Sequence, residues 1–296
     1  MSDHPAEAIP AEHPVRNFGG WRAASERLQA RLAPTDWPAR LALRLGAPRT
    51  VRVERHQVLV PASLGSGQPL RVAFASDFHA GPTTPAPLLD DAVAVLAREQ
   101  PDLLLLGGDF VCLRAGNAER LITLLGTVPA PAGRFAVLGN HDYWSGGREV
   151  ARYLERAGIE LLTNRSRPLP APFGGVSVCG LDDHTSGYPD AKAAFADGDG
   201  VRLLLMHAPS GLLDLGGATF SVAFCGHTHG GQIALPGGRP LMVPHGPLSR
   251  RYHAGRFDLD SGSTLIVSRG IGCSTIPVRI NAPPEIVVCT MSSRAS

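Results

Sequence analysis

The chain has 296 residues, 44% of them hydrophobic, enough for a sizeable core in one large domain or two small ones. Its 28 basic residues nearly balance 26 acidic ones, so the formal charge of +2 implies no nucleic-acid partner. Five scattered cysteines, odd in number, argue for reduced core thiols rather than a disulfide framework, and no apolar run reaches the length of a membrane span.

Residues 1–49 read as a proline-flecked leader. Their opening lacks the basic-then-apolar order of a secretory signal, which makes the cytoplasm the default location. Residues 20–46 carry two arginine-rich segments, GWRAASERLQARLA and DWPARLALRLG, with apolar residues at helical spacing. They predict amphipathic helices packed on the protein's own surface, the alternative being peripheral contact with anionic lipid at the inner membrane face. Residues 52–60 alternate as a strand. The expected division is therefore a leader with a first strand over 1–69 and a catalytic domain over 70–296.

From residue 70 strand-like and helical runs alternate. Helices are expected over 87–99, 117–126 and 147–157, whereas after Gly174 short strands predominate, at 175–179, 201–206, 219–225, 263–267 and 285–290. Five short apolar runs, at 72–75, 103–106, 135–138, 203–205 and 221–225, each end in a polar cluster. The clusters are Asp77-Phe78-His79, Gly107-Gly108-Asp109, Gly139-Asn140-His141-Asp142, Met206-His207 and Gly226-His227-Thr228-His229. The carboxyl ends of strands in open α/β sheets share a rim where ligands bind. A rim gathering carboxylates, an amide and imidazoles calls for a divalent first-row metal, and the absence of cysteine pairs at ligand spacing argues against structural zinc.

These clusters closely resemble the calcineurin-like metallophosphoesterase superfamily, whose signature runs D-x-H, G-D-x-x-D, G-N-H-D/E, H, G-H-x-H. The stretches GHTHGGQIALP and SRGIGCSTIPVRINAPPEIVV look like its bacterial phosphodiesterase branch. The resemblance implies an α/β fold, a four-layer α-β-β-α sandwich of two mixed sheets flanked by helices, with two divalent ions at its rim. Carried over, Asp77, His79 and His229 would hold one ion and Asn140, His207 and His227 the other, with Asp109 bridging both. Manganese is the first expectation, iron or zinc the next. The pattern departs at Cys112, in GGDFVC, where an aspartate is usual. Relatives of this branch include a UDP-diacylglucosamine pyrophosphatase.

Hydrolysis of a phosphate ester needs a nucleophile at neutral pH and charge relief on the phosphoryl group, which a metal-bridging hydroxide and its two cations supply. Glycines at 107, 108 and 139 would let backbone pass close to the ions. His141 is expected to face the leaving group as general acid, oriented by Asp142. His245, Arg250, Arg251, Tyr252 and His253 occupy a loop-like stretch that could contact substrate. Asp182, Asp183 and His184 are read as loop hydrogen-bonding groups. The function expected is cleavage of phosphodiester or pyrophosphate bonds, with a nucleotide-linked glycolipid such as UDP-diacylglucosamine as candidate substrate and no protein partner implied. The alternatives are a nuclease or cyclic-nucleotide phosphodiesterase, disfavoured by the absence of an aromatic-studded basic stretch, and a non-catalytic scaffold, disfavoured because all seven ligand positions are present.

Overall fold

In the computed structural model the described residues are 15–17, 19–60, 64–65 and 67–293. The opening of the expected leader, residues 1–14, lies outside them, as do the side chains of residues 21–23. Two helices come first, α1 (Trp21–Leu32) and α2 (Trp37–Arg44). The apolar runs then fold as β1 (Arg52–Val60), β2 (Leu70–Ala75), β3 (Leu103–Leu106), β4 (Gly133–Ala136) and β5 (Glu160–Leu161). Helices α3 (Ala86–Arg98), α4 (Glu119–Leu125) and α5 (Asn140–Arg156) connect β2 to β5 in turn. A second set follows: β6 (Arg165–Pro168), β7 (Val176–Gly180), α6 (Ala191–Ala194), β8 (Val201–Leu205), β9 (Val222–Cys225), β10 (Gly255–Asp258) and β11 (Thr264–Val267). The chain then returns through β12 (Glu285–Ser293).

These strands form two six-stranded mixed sheets, ordered β1-β12-β2-β3-β4-β5 and β10-β11-β9-β8-β7-β6. In the first, β2, β3, β4 and β5 run parallel, as βαβ connections require, and β12 inserts antiparallel beside β2. All nine residues of β1 pair with β12, so the strand expected in the leader forms the outer edge of this sheet. In the second, β7, β8, β9 and β11 are parallel, flanked by antiparallel β6 and β10.

Side chains alternate across each strand, and the alternation separates three cores. Ala73, Ala75, Leu104 and Leu106 meet Leu88, Leu96, Ile122 and Val150 of the helices. Val72, Phe74, Leu103 and Leu105 turn the other way, against Val178, Leu203, Leu205 and Phe224 of the second sheet. Beyond that sheet, Leu204, Ala223 and Leu265 lie against Ala194, Leu215 and Phe257. The result is the expected four-layer sandwich. Its second outer layer consists of the short α6 and a 3-10 turn at Pro209–Asp214 in place of long helices.

Candidate metal centre

Every strand that carries a polar cluster ends at the same rim. The first sheet delivers Asp77 and His79 after β2, Asp109 after β3 and Asn140 after β4, while the second delivers His207 after β8 and His227 and His229 after β9. Hydrogen bonds tie the loops within each set and join the two sets. The Asp77 amide donates to the Gly108 carbonyl at 2.9 Å, the Gly226 amide to the His207 carbonyl at 2.8 Å, and the His227 amide to the Asp77 carboxylate at 3.0 Å. His207 Nδ1 lies 2.8 Å from the Gly107 carbonyl, which leaves Nε2 facing the cluster.

The side chains form two groups with one shared member. His79 Nε2 lies 3.0 Å from His229 Nε2, which is 3.5 Å from Asp77 Oδ1. His207 Nε2 lies 3.1 Å from His227 Nδ1 and 3.2 Å from Asn140 Oδ1. Asp109 Oδ2 belongs to both groups, 3.5 Å from His79 Nε2 and 3.4 Å from His207 Nε2. All seven residues are at most 7% exposed.

This arrangement fits divalent ions. Neighbouring ligands about 2.1 Å from one ion stand roughly 3 Å apart, the separation of these donor atoms. Burial holds the imidazoles of His79 and His229 well below their usual range and brings His227 down to about 3, leaving neutral rings with lone pairs to offer. Burial pushes Asp77 up to about 6. Burial also pulls on His207, yet the carboxylates of Asp109, Asp77 and Asp183 outweigh it and hold this imidazole well above its usual range. The negative field that raises His207 would equally favour a divalent cation beside it.

The backbone is bent to the same end. Asp77, His79, Asp109, His227 and His229 all have φ between 45° and 69°, the left-handed region that non-glycine residues rarely enter and that clusters at functional sites. Gly139 is required by close approach, since a Cβ there would lie 2.3 Å from Asp109 Oδ1 and 2.6 Å from His207 Cε1. Gly108 combines φ of 83° with a Cβ position 2.4 Å from the Gly139 amide nitrogen.

His141 lines the cleft beside this cluster. Its amide donates to Asp109 Oδ1 at 2.8 Å, and its ring centroid lies 4.7 Å from both His79 and Trp144. Asp142 does not orient it, which corrects the expectation from sequence. The fully buried Asp142 carboxylate turns inward and accepts four backbone N–H groups, from Gly139, Asp109, Phe110 and Val111, at 2.8 to 3.2 Å. It ties the loop after β3 to the first turn of α5, and burial pushes its carboxyl up to about 8.

Of the residues expected at substrate, His245 lines the cleft, which occupies about 840 Å³, whereas Arg250, Arg251, Tyr252 and His253 do not. Tyr252 is 8% exposed in the third core, its ring edge-on to Phe257 at 5.0 Å and the Arg251 guanidinium above it. Arg250 is exposed, and the His253 carbonyl accepts the Thr228 hydroxyl at 2.6 Å. The loop fixes the GHTH turn from behind. Asp182 and Asp183 are hydrogen-bonded loop groups as expected, Asp183 accepting the amides of Thr185 and Ser186, but one oxygen of Asp183 is buried without a hydrogen-bond partner.

Arg279 carries a role that single-residue reasoning missed. It bonds the carbonyls of Gly272, Arg269 and Ala282 and reaches within 3.2 Å of His229 Nδ1, knitting the closing segment to the metal ligand candidate. The signal available was the PVRIN sequence inside the closing motif.

Paired buried groups of candidate metal ligands at the joint rim of a two-sheet α/β sandwich are the arrangement expected of a metal-dependent phosphoesterase. The calcineurin-like phosphoesterase family model matches residues 70–231, more than half of the chain, and the chain belongs to that family. It is similar to phosphodiesterase YaeI of Escherichia coli, 28% identical over 224 residues, 74% of this chain and 81% of the relative. The uncharacterized metallophosphoesterase YkuE of Bacillus subtilis is 29% identical, covering 83% of this chain and 87% of its own. A UDP-2,3-diacylglucosamine pyrophosphatase, LpxG of Chlamydia trachomatis, is 28% identical, with 81% and 88% covered.

Proposed function

We propose that residues 70–296, with β1 at their edge, form the catalytic unit of a dinuclear phosphohydrolase that cleaves phosphodiester or pyrophosphate bonds. The observation that carries this reading is Asp109 Oδ2 standing 3.5 and 3.4 Å from the nearest imidazole nitrogens of two otherwise separate donor groups. Asp77, His79, His229 and Asp109 would hold one ion, and Asp109, Asn140, His207 and His227 the other. Two divalent ions bound there, manganese by preference and iron or zinc next, would supply an activated water at neutral pH and relieve charge on the phosphoryl oxygens.

The remaining chemistry belongs to the chain. His141, at the cleft wall and hinged by its amide to Asp109, is placed to give a proton to the leaving-group oxygen. Asp142 holds the Asp109 amide, and Arg279 buttresses His229.

An amphiphilic substrate, a nucleotide-linked glycolipid such as UDP-diacylglucosamine, is supported by the apolar part of the cleft lining. Ile233, Leu241, Met242, Val243 and Ile276 line it, and Leu241, Met242 and Ile276 are 57%, 74% and 45% exposed. Similarity to LpxG points the same way. No helix of the described residues is long and apolar enough to cross a membrane. A cytoplasmic protein touching the inner membrane face peripherally is supported by Leu28, Leu32, Trp37, Leu41 and Leu45, exposed on or beside the arginine-bearing α1 and α2.

The test pairs metal analysis with activity on a bis-aryl phosphate, a mono-aryl phosphate and a UDP-linked glycolipid after loading with manganese, iron or zinc. Two ions per chain and hydrolysis of the diester or the pyrophosphate are expected. Protein that binds no ion, or that hydrolyses monoesters alone, overturns the reading. Pelleting with anionic vesicles, absent for the unaltered protein, would remove the membrane contact.

A further inference from the structure

The N-terminal helix lies outside the segment that matches the family, yet it forms a wall of the cleft. Residues before it are clipped to the loop after β7: the Arg16 amide donates to the Ser186 carbonyl at 3.2 Å, its guanidinium to Gly187 at 3.1 Å, and the Asn17 amide side chain to Thr185 at 2.7 Å. Beyond it the chain is held again. The Ala39 amide donates to the Pro82 carbonyl at 3.0 Å, with Ala39 and Ala42 buried. Between these two anchorages Ser25, Glu26 and Gln29 of α1 line the same cleft as Asp109, Asn140 and His141.

Glu26 is the charged member of that wall. Its Oε1 lies 3.9 Å from Nδ1 of His141, with the two side chains 17% and 14% exposed. His141 Nδ1 is buried and has no hydrogen-bond partner, a condition that calls for a charge or a bridging water nearby. The family's aspartate is absent from this spot. Cys112 stands there, its thiol within 4.8 Å of ligand atoms of both His79 and His141. Burial pushes that thiol up to about 12, with the charge of Glu26 adding to the effect, so it offers no negative charge of its own.

Resting on the phosphohydrolase reading, we propose that Glu26 is the positioning residue of His141, supplying from the N-terminal helix the carboxylate that the chain lacks at Cys112. The geometry gives a reason for a segment outside the sandwich to be tied down both before and after α1. It also gives His141 the acidic neighbour that Asp142, turned to the backbone, does not provide. In this role Glu26 is no ligand of the metal cluster and acts through the imidazole.

The decisive experiment is a double-mutant cycle of Glu26→Gln and His141→Ala in the full chain, assayed on an alkyl and a p-nitrophenyl phosphodiester. Glu26→Gln should lower kcat on the alkyl ester about tenfold, with KM within about twofold, and leave the p-nitrophenyl ester nearly unchanged. In the His141→Ala background the same change should have less than about a twofold effect. A Glu26 effect that persists in full without His141, that falls equally on both esters, or that is missing altogether overturns the proposal. A readout independent of activity separates it from failure of the phosphohydrolase reading. In metal-free protein, Glu26→Gln should shift the ring ¹⁵N signals of His141, identified by their loss in His141→Ala, and leave those of His184 in place. Unmoved His141 signals would refute the positioning role even if the enzyme proved to have another substrate.

Discussion

Replacing Asp142 separates a structural carboxylate from a catalytic one. Its Oδ2 accepts the Asp109 and Gly139 amides at 2.8 and 2.9 Å, and its Oδ1 the Phe110 and Val111 amides at 2.8 and 3.2 Å. Asp142→Ala strands four buried N–H groups. At the lower bound of about 1 kcal/mol for each unmet donor, the loss is about 4 kcal/mol, in the range seen when a buried network is broken. For a chain of this size that lowers Tm by roughly 10 °C. Asp142→Asn keeps one oxygen and turns an NH₂ toward the other two donors, so about half the loss is expected, roughly 2 kcal/mol. The assay is urea unfolding of metal-free protein, followed in parallel with His141→Ala, which should stay within about 1 kcal/mol of the unaltered chain because His141 is a cleft residue. If Asp142→Ala unfolds within 1 kcal/mol of the parent, the four bonds do not hold the loop. If Asp142→Asn is stable but reproduces the leaving-group dependence of His141→Ala, the carboxylate orients the imidazole after all.

Three further outcomes are expected. His141→Ala should cut kcat roughly 10²- to 10⁴-fold on diesters with poor leaving groups and spare activated aryl esters; equal losses on both would make His141 a substrate-binding residue. Asp109→Asn should reduce metal content from two ions to less than about one per chain, measured by atomic emission, whereas loss of one ion with the other retained would show that the carboxylate does not bridge. Asp183 has one oxygen buried without a partner, and burial lifts its carboxyl to about 6, so the folded state holds this proton more firmly than the unfolded chain. Its contribution to stability is present below about pH 4 and lost as pH rises through 6, on the order of 3 kcal/mol. In metal-free protein Asp183→Asn should therefore flatten the decline of stability between pH 4 and 7; an unchanged slope would refute this.

The inner strands were legible as continuous apolar runs, LLLL at β3 and VAFC at β9, of the kind a doubly covered sheet favours, while the four-layer arrangement was implied by the family resemblance. The elements not foreseen are those lacking such a signal. β5 has two residues, β6 reads RSRP and β10 reads GRFD, edge strands specified by their neighbours in the sheet more than by their own sequence. The helix expected at 147–157 begins where Gly146, with φ of 123° and ψ of 63°, breaks α5 at a kink, and the short helical stretch from Asn140 up to that kink was not foreseen.

Within the candidate site, the convergence of the strand ends was legible and the orientations of neighbouring side chains were not. A strand end announces that Asp77, Asp109 or His207 reaches the rim, since the backbone alone determines that much. Whether the next carboxylate faces an imidazole or the main chain depends on which amides are left without partners after the turn. At Asp142 the left-handed bend of Asp109 exposes its own amide and those of Phe110 and Val111, and the carboxylate is drawn to them. Tyr252 follows the same logic: a polar residue in a loop near the GHTH turn is read as a substrate contact, yet its ring completes the apolar layer over β11 while backbone carbonyls do the binding. The strain in five ligand backbones binds these cases together. Bending the chain to aim donor atoms inward leaves amides facing backward, and Asp142 beside the candidate ligand Asn140 meets three of them. A motif of alternating candidate ligands and their neighbours thus presents a cluster of donor atoms on one side and its supporting hydrogen-bond lattice on the other.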